Sequence, residues 1–390
     1  MNKPQEFLNL SQTLFFKEGS VANHTQYRVC QKSPFVKVGN VFRKGGFSNP
    51  QQGFTLIELM IALALGLIII AAAILLFLTG QKSYSLQQGS ADLQDNANFG
   101  LNYIVKDIRL SNLNTKSSGI NDETVGGGIV LTSTANAKTT TAGSPAVTTL
   151  SPNLLVNVKA DMTKGTGTDI PLILLSQGNT GLSNVNTELS DQLVIQYRPQ
   201  YVQDPDDADK LFGGFDCEGN RIEVAKVASG TQDYNIIVQR YFLREDTKIG
   251  NEPNASLALA CDAGYYSDTG SPTAITGFND KSQIILKRVD YFHVLLGIQN
   301  GTNFRYISID DYMKLTGTKP RILSVQLGAL IRSSQTVGRD SMIKDDQKFQ
   351  VLDKEVTVKT PAAGSSKYVR QVVSQTVALR NTFGTRGASE

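Results

Sequence analysis

Residues 53 to 78 read Gly-Phe-Thr-Leu-Ile-Glu-Leu-Met-Ile-Ala-Leu-Ala-Leu-Gly-Leu-Ile-Ile-Ile-Ala-Ala-Ala-Ile-Leu-Leu-Phe-Leu, a single carboxylate, Glu58, bordering twenty uncharged residues from Leu59 to Leu78. At about 1.5 Å per residue that run is about 30 Å long as a helix, the thickness of the hydrocarbon core of a bilayer. Upstream, residues 1 to 53 carry Lys3, Lys17, Arg28, Lys32, Lys37, Arg43 and Lys44 against Glu6 and Glu18, a net of +5. Positive charge before an apolar span keeps that side in the cytoplasm, so the chain after Leu78 is expected on the far side of the membrane. A cleaved secretory signal would have its small-residue cut site after the apolar run. Here the small residue at the change of character is Gly53, before it, and cutting there leaves the helix on the mature chain.

Glycine, then phenylalanine, then glutamate at the fifth position of the shortened chain make Gly53-Phe54-Thr55-Leu56-Ile57-Glu58-Leu59-Met60-Ile61-Ala62 resemble the class III signal of type IV prepilins and type II secretion pseudopilins. The resemblance implies that a membrane prepilin peptidase cuts after Gly53 and methylates the new amino terminus on Phe54. It also implies that Glu58 pairs with the N-terminal amine of a neighbouring subunit during assembly. An isolated carboxylate in hydrocarbon is costly and seeks such a partner. Leaders of this family are usually short, whereas fifty-three residues precede the cut. No second methionine lies between Met1 and Gly53, yet Arg43-Lys44 and the polar stretch to Gln52 have the form of a complete leader. Translation is therefore expected to start at a non-methionine codon near Val38 or Val41.

With the leader set aside, residues 54 to 390 hold 31 basic and 33 acidic residues, so the overall +3 of the full chain becomes −2. A nucleic-acid-binding domain normally shows a basic footprint, and net charge shows none, so no direct nucleic-acid binding is expected. Cys30 falls in the leader, leaving Cys217 and Cys261, which in an exported chain read as one disulfide. Its loop of about 44 residues would contribute ~3 to 4 kcal/mol by the chain-entropy argument.

No proline occurs from Phe54 to Ser144, and a helix is expected to run on to about Asn112. Leu93, Ala97, Leu101, Ile104 and Ile108 form a stripe at helical spacing, with Asp92, Asp95, Lys106, Asp107 and Arg109 off it. The stripe should pack on a sheet. The joined apolar and amphipathic halves resemble the long N-terminal helix of pilins. Major pilins commonly carry a proline in the buried half, and Leu65 to Leu78 has none, which argues against a bulk filament subunit.

Beyond Gly119 the pattern changes to strands, expected at Ile129 to Thr132, Leu154 to Val158, Leu172 to Leu175, Gln192 to Arg198, Tyr234 to Arg244, Ser256 to Cys261, Gln283 to Ile298, Phe304 to Ile309, Arg321 to Ile331 and Tyr368 to Arg380. Asp310-Asp311 should cap a short helix over Tyr312 to Leu315. Thr132 to Thr149, Ser333 to Lys348 and Lys359 to Lys367 read as surface loops. The expected fold class is α+β: a long N-terminal helix, half transmembrane and half amphipathic, leading into a mainly antiparallel β-sheet head of pilin type. The expected division is a removed leader over 1–53, a transmembrane and assembly helix over 54–78, an amphipathic helix over 79–118 and a periplasmic head over 119–390.

Three chemical readings are disfavoured. Asp204-Pro205-Asp206-Asp207-Ala208-Asp209 has oxygen ligands suited to calcium but lacks the glycine and terminal glutamate of an EF-hand loop, and reads as a solvated acidic loop. His293, the sole mature histidine, lies in an apolar strand, Tyr291-Phe292-His293-Val294-Leu295, which speaks against a catalytic triad. Gly126-Gly127-Gly128 precedes a strand and lacks the P-loop lysine, so it reads as a turn. No catalytic residue, metal or cofactor is expected.

Asp191-Gln192-Leu193-Val194-Ile195-Gln196-Tyr197-Arg198, Asp216-Cys217-Glu218-Gly219 and Val377-Ala378-Leu379-Arg380-Asn381 resemble the PilW family of minor pilins. That resemblance implies a non-enzymatic, low-abundance subunit, held in the inner membrane by one pass with a periplasmic head. From there it would join other minor pilins, the major pilin and the inner-membrane assembly platform to prime a type IV pilus, near its tip. Motility, adhesion and DNA uptake would depend on it indirectly. Two alternatives stand beside it: a minor pseudopilin of type II secretion, and a prepilin-processed, membrane-anchored adhesin or binding module.

Overall fold

The computed structural model describes residues 53–115, 119–131, 138–140, 147–149, 151–154, 174–250, 252–269, 275–278, 282–337, 343–344, 346–361 and 364–383. These fall into two compact units, one ending at Leu65 and the other beginning at Gly66.

Helix α1, Leu56–Ile108, begins in the first unit and ends in the second. Thr55 caps it: its hydroxyl accepts a hydrogen bond from the Glu58 amide at 3.3 Å, satisfying one of the orphan donors of a helix start. In the first unit the large apolar side chains from Phe54 to Leu63 are exposed, and in the second so are those from Leu67 to Leu78. This stretch is long and apolar enough to cross a membrane, and a helix apolar all round needs a non-aqueous surrounding.

In the second unit the helix character changes. Leu93, Leu101, Ile104 and Ile108 are buried, as the spacing predicts, with Val105 joining them. The helix stops at Ile108, four residues short of the expected Asn112, because the chain turns sharply there. Asn112 adopts a positive φ of 64°, and its amide bonds the Gln196 carbonyl. Gly128 makes the turn possible: a Cβ there would lie 2.2 Å from the Asn112 nitrogen, so only glycine admits the close approach.

The strands follow in order: β1 (Lys138–Thr140), β2 (Val147–Thr149), β3 (Gln177–Gly181), β4 (Ser190–Tyr197), β5 (Val202–Gln203), β6 (Lys210–Phe215), β7 (Arg221–Ala225), β8 (Asn235–Glu245), β9 (Leu257–Ser267), β10 (Gln283–Lys287), β11 (Val289–Asn300) and β12 (Asn303–Ser308). After helix α2 (Ile309–Lys314) come β13 (Arg321–Thr336), β14 (Lys348–Val351), β15 (Lys354–Thr357) and β16 (Tyr368–Ala378). Two antiparallel sheets carry the fold, ordered β10-β9-β8-β4-β3 and β12-β11-β13-β16. A three-stranded sheet β5-β6-β7 and the hairpins β1-β2 and β14-β15 complete it.

One apolar cluster joins the α1 stripe to the inner faces of both sheets, through Ile195, Leu243 and Leu259 on one and Phe292, Val294 and Leu327 on the other. Smaller clusters close the outer faces. Val194, Val238 and Tyr266 lie behind the first sheet, and Tyr291, Leu330, Val351 and Val356 lie between the second sheet and the β14-β15 hairpin. Tyr197, Ile222 and Ile237 fasten the three-stranded sheet.

Several expectations are corrected. The single strand expected over Gln283 to Ile298 is broken at Arg288, whose positive φ of 57° turns β10 into one sheet and β11 into the other. Ser308, not Asp310 or Asp311, caps α2, accepting from the Asp311 amide at 3.1 Å. β9 extends to Ser267 because its far half pairs with Asn235 to Gln239 of β8. Ser333 to Thr336, expected in a loop, continue β13, and Lys348 begins β14. Ile129 and Leu131 make isolated bridges rather than a strand, and Leu174 and Leu175 form none. The rest of the expected Leu154 to Val158 strand, residues 155–158, and residues 172–173 lie outside the described residues; of the loop expected over Thr132 to Thr149, the described parts Lys138–Thr140 and Val147–Thr149 pair as strands β1 and β2.

Cys217 and Cys261 are bonded, with Cα atoms 6.2 Å apart. The bridge ties the turn between β6 and β7 to the middle of β9. Replacing both cysteines by serine should lower the free energy of unfolding by ~3 to 4 kcal/mol, read from urea denaturation of the purified protein. The earliest proteolytic cuts in the double variant should fall between residues 202 and 225.

Candidate functional site

Gly53, Phe54 and Glu58 lie at the entrance of α1. Phe54 is 85% exposed, and a Cβ at Gly53 would meet nothing within 4 Å, so the bond between them is open to an enzyme. Glu58 sits in the first turn, where the partial positive charge of the helix end favours a carboxylate. Thr55 and Glu58 have the spacing of a capping box, a sequence signal that identifies the helix start more sharply than the apolar run does.

The head buries polar groups at three places. Asp107, expected on the open side of α1, is buried, and its Oδ2 lies 2.9 Å from the Tyr241 hydroxyl. The same hydroxyl lies 3.0 Å from Gln239 Oε1, and Gln239 Nε2 donates to the Tyr197 hydroxyl at 3.3 Å. One phenol proton cannot serve two acceptors. The Tyr241 hydroxyl is within reach of both the Asp107 carboxyl and the Gln239 amide oxygen and can donate to one of them at a time. Burial pushes the Asp107 carboxyl up to about 6, with the hydrogen bond donated by Tyr241 opposing. Beside it, the Tyr103 hydroxyl donates to the Cys217 carbonyl at 3.2 Å, linking α1 to the disulfide turn.

His293 is the second place. Its Nδ1 lies 2.7 Å from Asp191 Oδ2 and its Nε2 2.8 Å from Asp353 Oδ1, so two carboxylates hold both ring nitrogens. Asp191 also accepts from the Val294 and Asn179 amides. Both ring nitrogens must donate, which requires the imidazolium. Burial alone would lower the imidazole pKa, but the hydrogen bonds and charges of Asp191 and Asp353 outweigh it and raise it above 6.5. Asp353 belongs to the turn of the β14-β15 hairpin, so the histidine clamps that hairpin to β11 and β4. A small cleft beside it, about 70 Å³ and bordered by Asp310 and Lys314, contains no other imidazole or thiol.

The third place is Arg332, fully buried and paired with Asp290 at 3.0 Å and with Glu252. Arg370 and Arg288 hold the remaining oxygens of those two carboxylates, at 2.7 and 3.0 Å. Removing one member would strand a buried charge. Alternation alone could not reveal this cluster, because its partners come from four separate segments.

The acidic stretch at Asp204 is corrected in part. Asp204 is buried and gripped by Arg221, at 2.6 Å to each oxygen, rather than solvated. Among the described residues no group of three His, Cys, Asp or Glu side chains could hold a metal ion. Gly126 takes a turn φ of +71°, as its sequence reads.

Residues 48–74 match the family described as a prokaryotic N-terminal methylation motif, and residues 241–381 match the one described as type IV pilus-assembly protein W. The solved structure of a type IV-like pilin from Thermus thermophilus aligns with 75% of this chain and 97% of its own, at 10% identity and a TM-score of 0.29. No curated protein sequence matches the chain. The chain thus joins a methylation motif at the start of a long apolar helix to a mostly antiparallel sheet domain, the arrangement of a type IV pilus-related pilin. The later strands, from Tyr241 to Asn381, are similar to type IV pilus-assembly protein W. The match begins at Tyr241. It therefore includes the Val377 to Asn381 motif, His293 and Cys261, and leaves out Asp191 to Arg198, Cys217 and the β5-β6-β7 sheet.

Two pH effects should separate. The Asp107 carboxyl is raised in the folded state, so its contribution is present below the ordinary carboxylate value near 4 and is lost as pH rises through about 6. The shift of roughly two units corresponds to about 3 kcal/mol at 1.36 kcal/mol per unit. Asp107→Asn should abolish the decline in unfolding free energy between pH 4 and pH 6, measured by urea denaturation. The His293 imidazolium is also raised, so its contribution is present below 6.5 and disappears as pH rises through the higher folded value. His293→Gln should remove the further decline above pH 6.5, with the hydrogen-exchange protection factors of Lys348–Thr357, corrected for the intrinsic pH dependence of exchange, no longer falling as pH rises.

Proposed function

We propose that the chain is cut after Gly53 and methylated on Phe54, and that it then serves as a minor pilin in a complex that primes type IV pilus assembly. The observation that carries this reading is the coupling of two matched segments through one helix. The methylation motif opens α1, and the buried stripe at its other end forms part of the head core to which the matched strands belong. A subunit so built works by placing a surface, and pilin-type families are structural rather than catalytic.

The basic leader and the apolar helix support insertion in the inner membrane before assembly. In the filament the apolar side chains of residues 56–78 leave lipid for the corresponding segments of other subunits. Glu58 would meet the methylated amine of a neighbour, an ion pair that hydrocarbon surroundings make strong and that fixes the axial register. The partners would be the prepilin peptidase, then other minor pilins, the major pilin and the assembly platform, with the tip region as the final location.

Glu58→Ala should leave the precursor cleaved and in the membrane but reduce surface pili at least tenfold, counted by electron microscopy against wild type. Normal piliation in that variant would sink the pairing role. Loss of enzyme secretion with pili intact would point to a type II pseudopilin, and loss of attachment alone to an adhesin.

A further inference from the structure

The strand β12 closes one side of the β12-β11-β13-β16 sheet, and nothing among the described residues covers it. Beyond its ladder with β11, no backbone group of residues 303–307 bonds to another described residue. The opposite edge, β16, is approached by α1, where Gly89 lies against Ser333 and Val369. Natural proteins blunt open edges with charged side chains, especially lysine, and with proline or bulges, because a row of free amides and carbonyls is a template for another strand. Asn303-Phe304-Arg305-Tyr306-Ile307-Ser308 has no lysine, proline or bulge, and Arg305 is its single charge.

Its two faces are each prepared for something. On the face away from α1, Phe304 is 67% and Tyr306 43% exposed. The Tyr306 ring lies over Gly297, where a Cβ would come within 2.8 Å of it, and its hydroxyl is 3.2 Å from Ser324 Oγ. Tyr306 is thus a fixed aromatic platform. On the other face Arg305 reaches into a groove of about 330 Å³ floored by Ile298 and Leu315 and rimmed by Asn300, Thr316 and Thr318. No carboxylate lines that groove, and Arg305 has no ion pair or hydrogen bond among the described residues.

We propose that β12 is a strand-addition site for an extended segment of a different protein, one that carries an acidic side chain toward Arg305 and apolar side chains toward Phe304 and Tyr306. Alternation in an added strand sends successive side chains to opposite faces, so a single ligand of this kind meets the free backbone, the lone guanidinium and the aromatic platform together. Charge argues against a second copy of this chain. Antiparallel pairing of two β12 strands about a central two-fold axis sets the Arg305 side chains opposite or diagonal to each other on one face. This site is independent of the Glu58 pairing, and it lies on the head rather than on the helix that drives assembly.

The test uses the full processed chain in detergent and a fluorescein-labelled, amidated peptide Thr-Val-Glu-Val-Thr-Val, followed by fluorescence anisotropy. Saturable binding is expected, weakened at least tenfold when lysine replaces the glutamate or in Arg305→Glu, and restored when the lysine peptide meets Arg305→Glu. Two N-methylated forms, blocking alternate amides in either phase, should differ: one abolishes binding and the other leaves it within about twofold, as the alternation of strand hydrogen bonds requires. The proposal is overturned if no peptide binds, if the charge exchange fails to restore binding while both proteins keep the wild-type melting temperature, or if neither methylation phase matters. Dimerisation through β12 in sedimentation velocity would overturn it in favour of a second copy.

Discussion

Burial of one face of α1 between two sheets is the contact on which the head depends. Leu93, Leu101, Ile104 and Ile108 come from the helix alone, but the residues that cover them come from strands on both sides, and each sheet would expose its inner face without the helix. At roughly 1.5 to 3 kcal/mol for each fully buried Leu or Ile side chain, these four are of the order of a whole domain's net stability. The turn after Ile108 then has to be tight. Asn112, Gly128 and Gln196 exchange backbone and side-chain hydrogen bonds there, passing the chain from the helix to the sheets.

The polar groups in this core are selected by proton bookkeeping. Asp107 at the helix and His293 at the second sheet are both buried, and both are stabilised in the protonated form, one as a neutral acid and the other as a cation. Low pH therefore favours both. The Arg332 cluster is different in kind, since three guanidinium groups, of Arg332, Arg370 and Arg288, share the two carboxylates of Asp290 and Glu252.

Much of this was legible in the residues. The apolar run, the stripe at helical spacing, most of the long strands and the cysteine pair each obey a local rule of period or composition. The misreadings have a shared cause. Arg288 breaks a strand that is continuous in hydrophobic pattern, because the two halves belong to different sheets. Asp107 looks like a surface residue in a helical projection, because the projection does not include Tyr241 and Gln239 on β8. Asp204 reads as solvated until Arg221, seventeen positions later, turns back onto it.

By itself the sequence determined the long apolar helix and the pairing of Cys217 with Cys261, since those follow from length and composition. Only the tertiary structure decided which charges are buried, which histidine nitrogens are held and which strand is left at an open edge. Those outcomes depend on groups far apart in the chain meeting in space, and an unpaired edge or a shared proton is a property of neighbours that no local pattern contains.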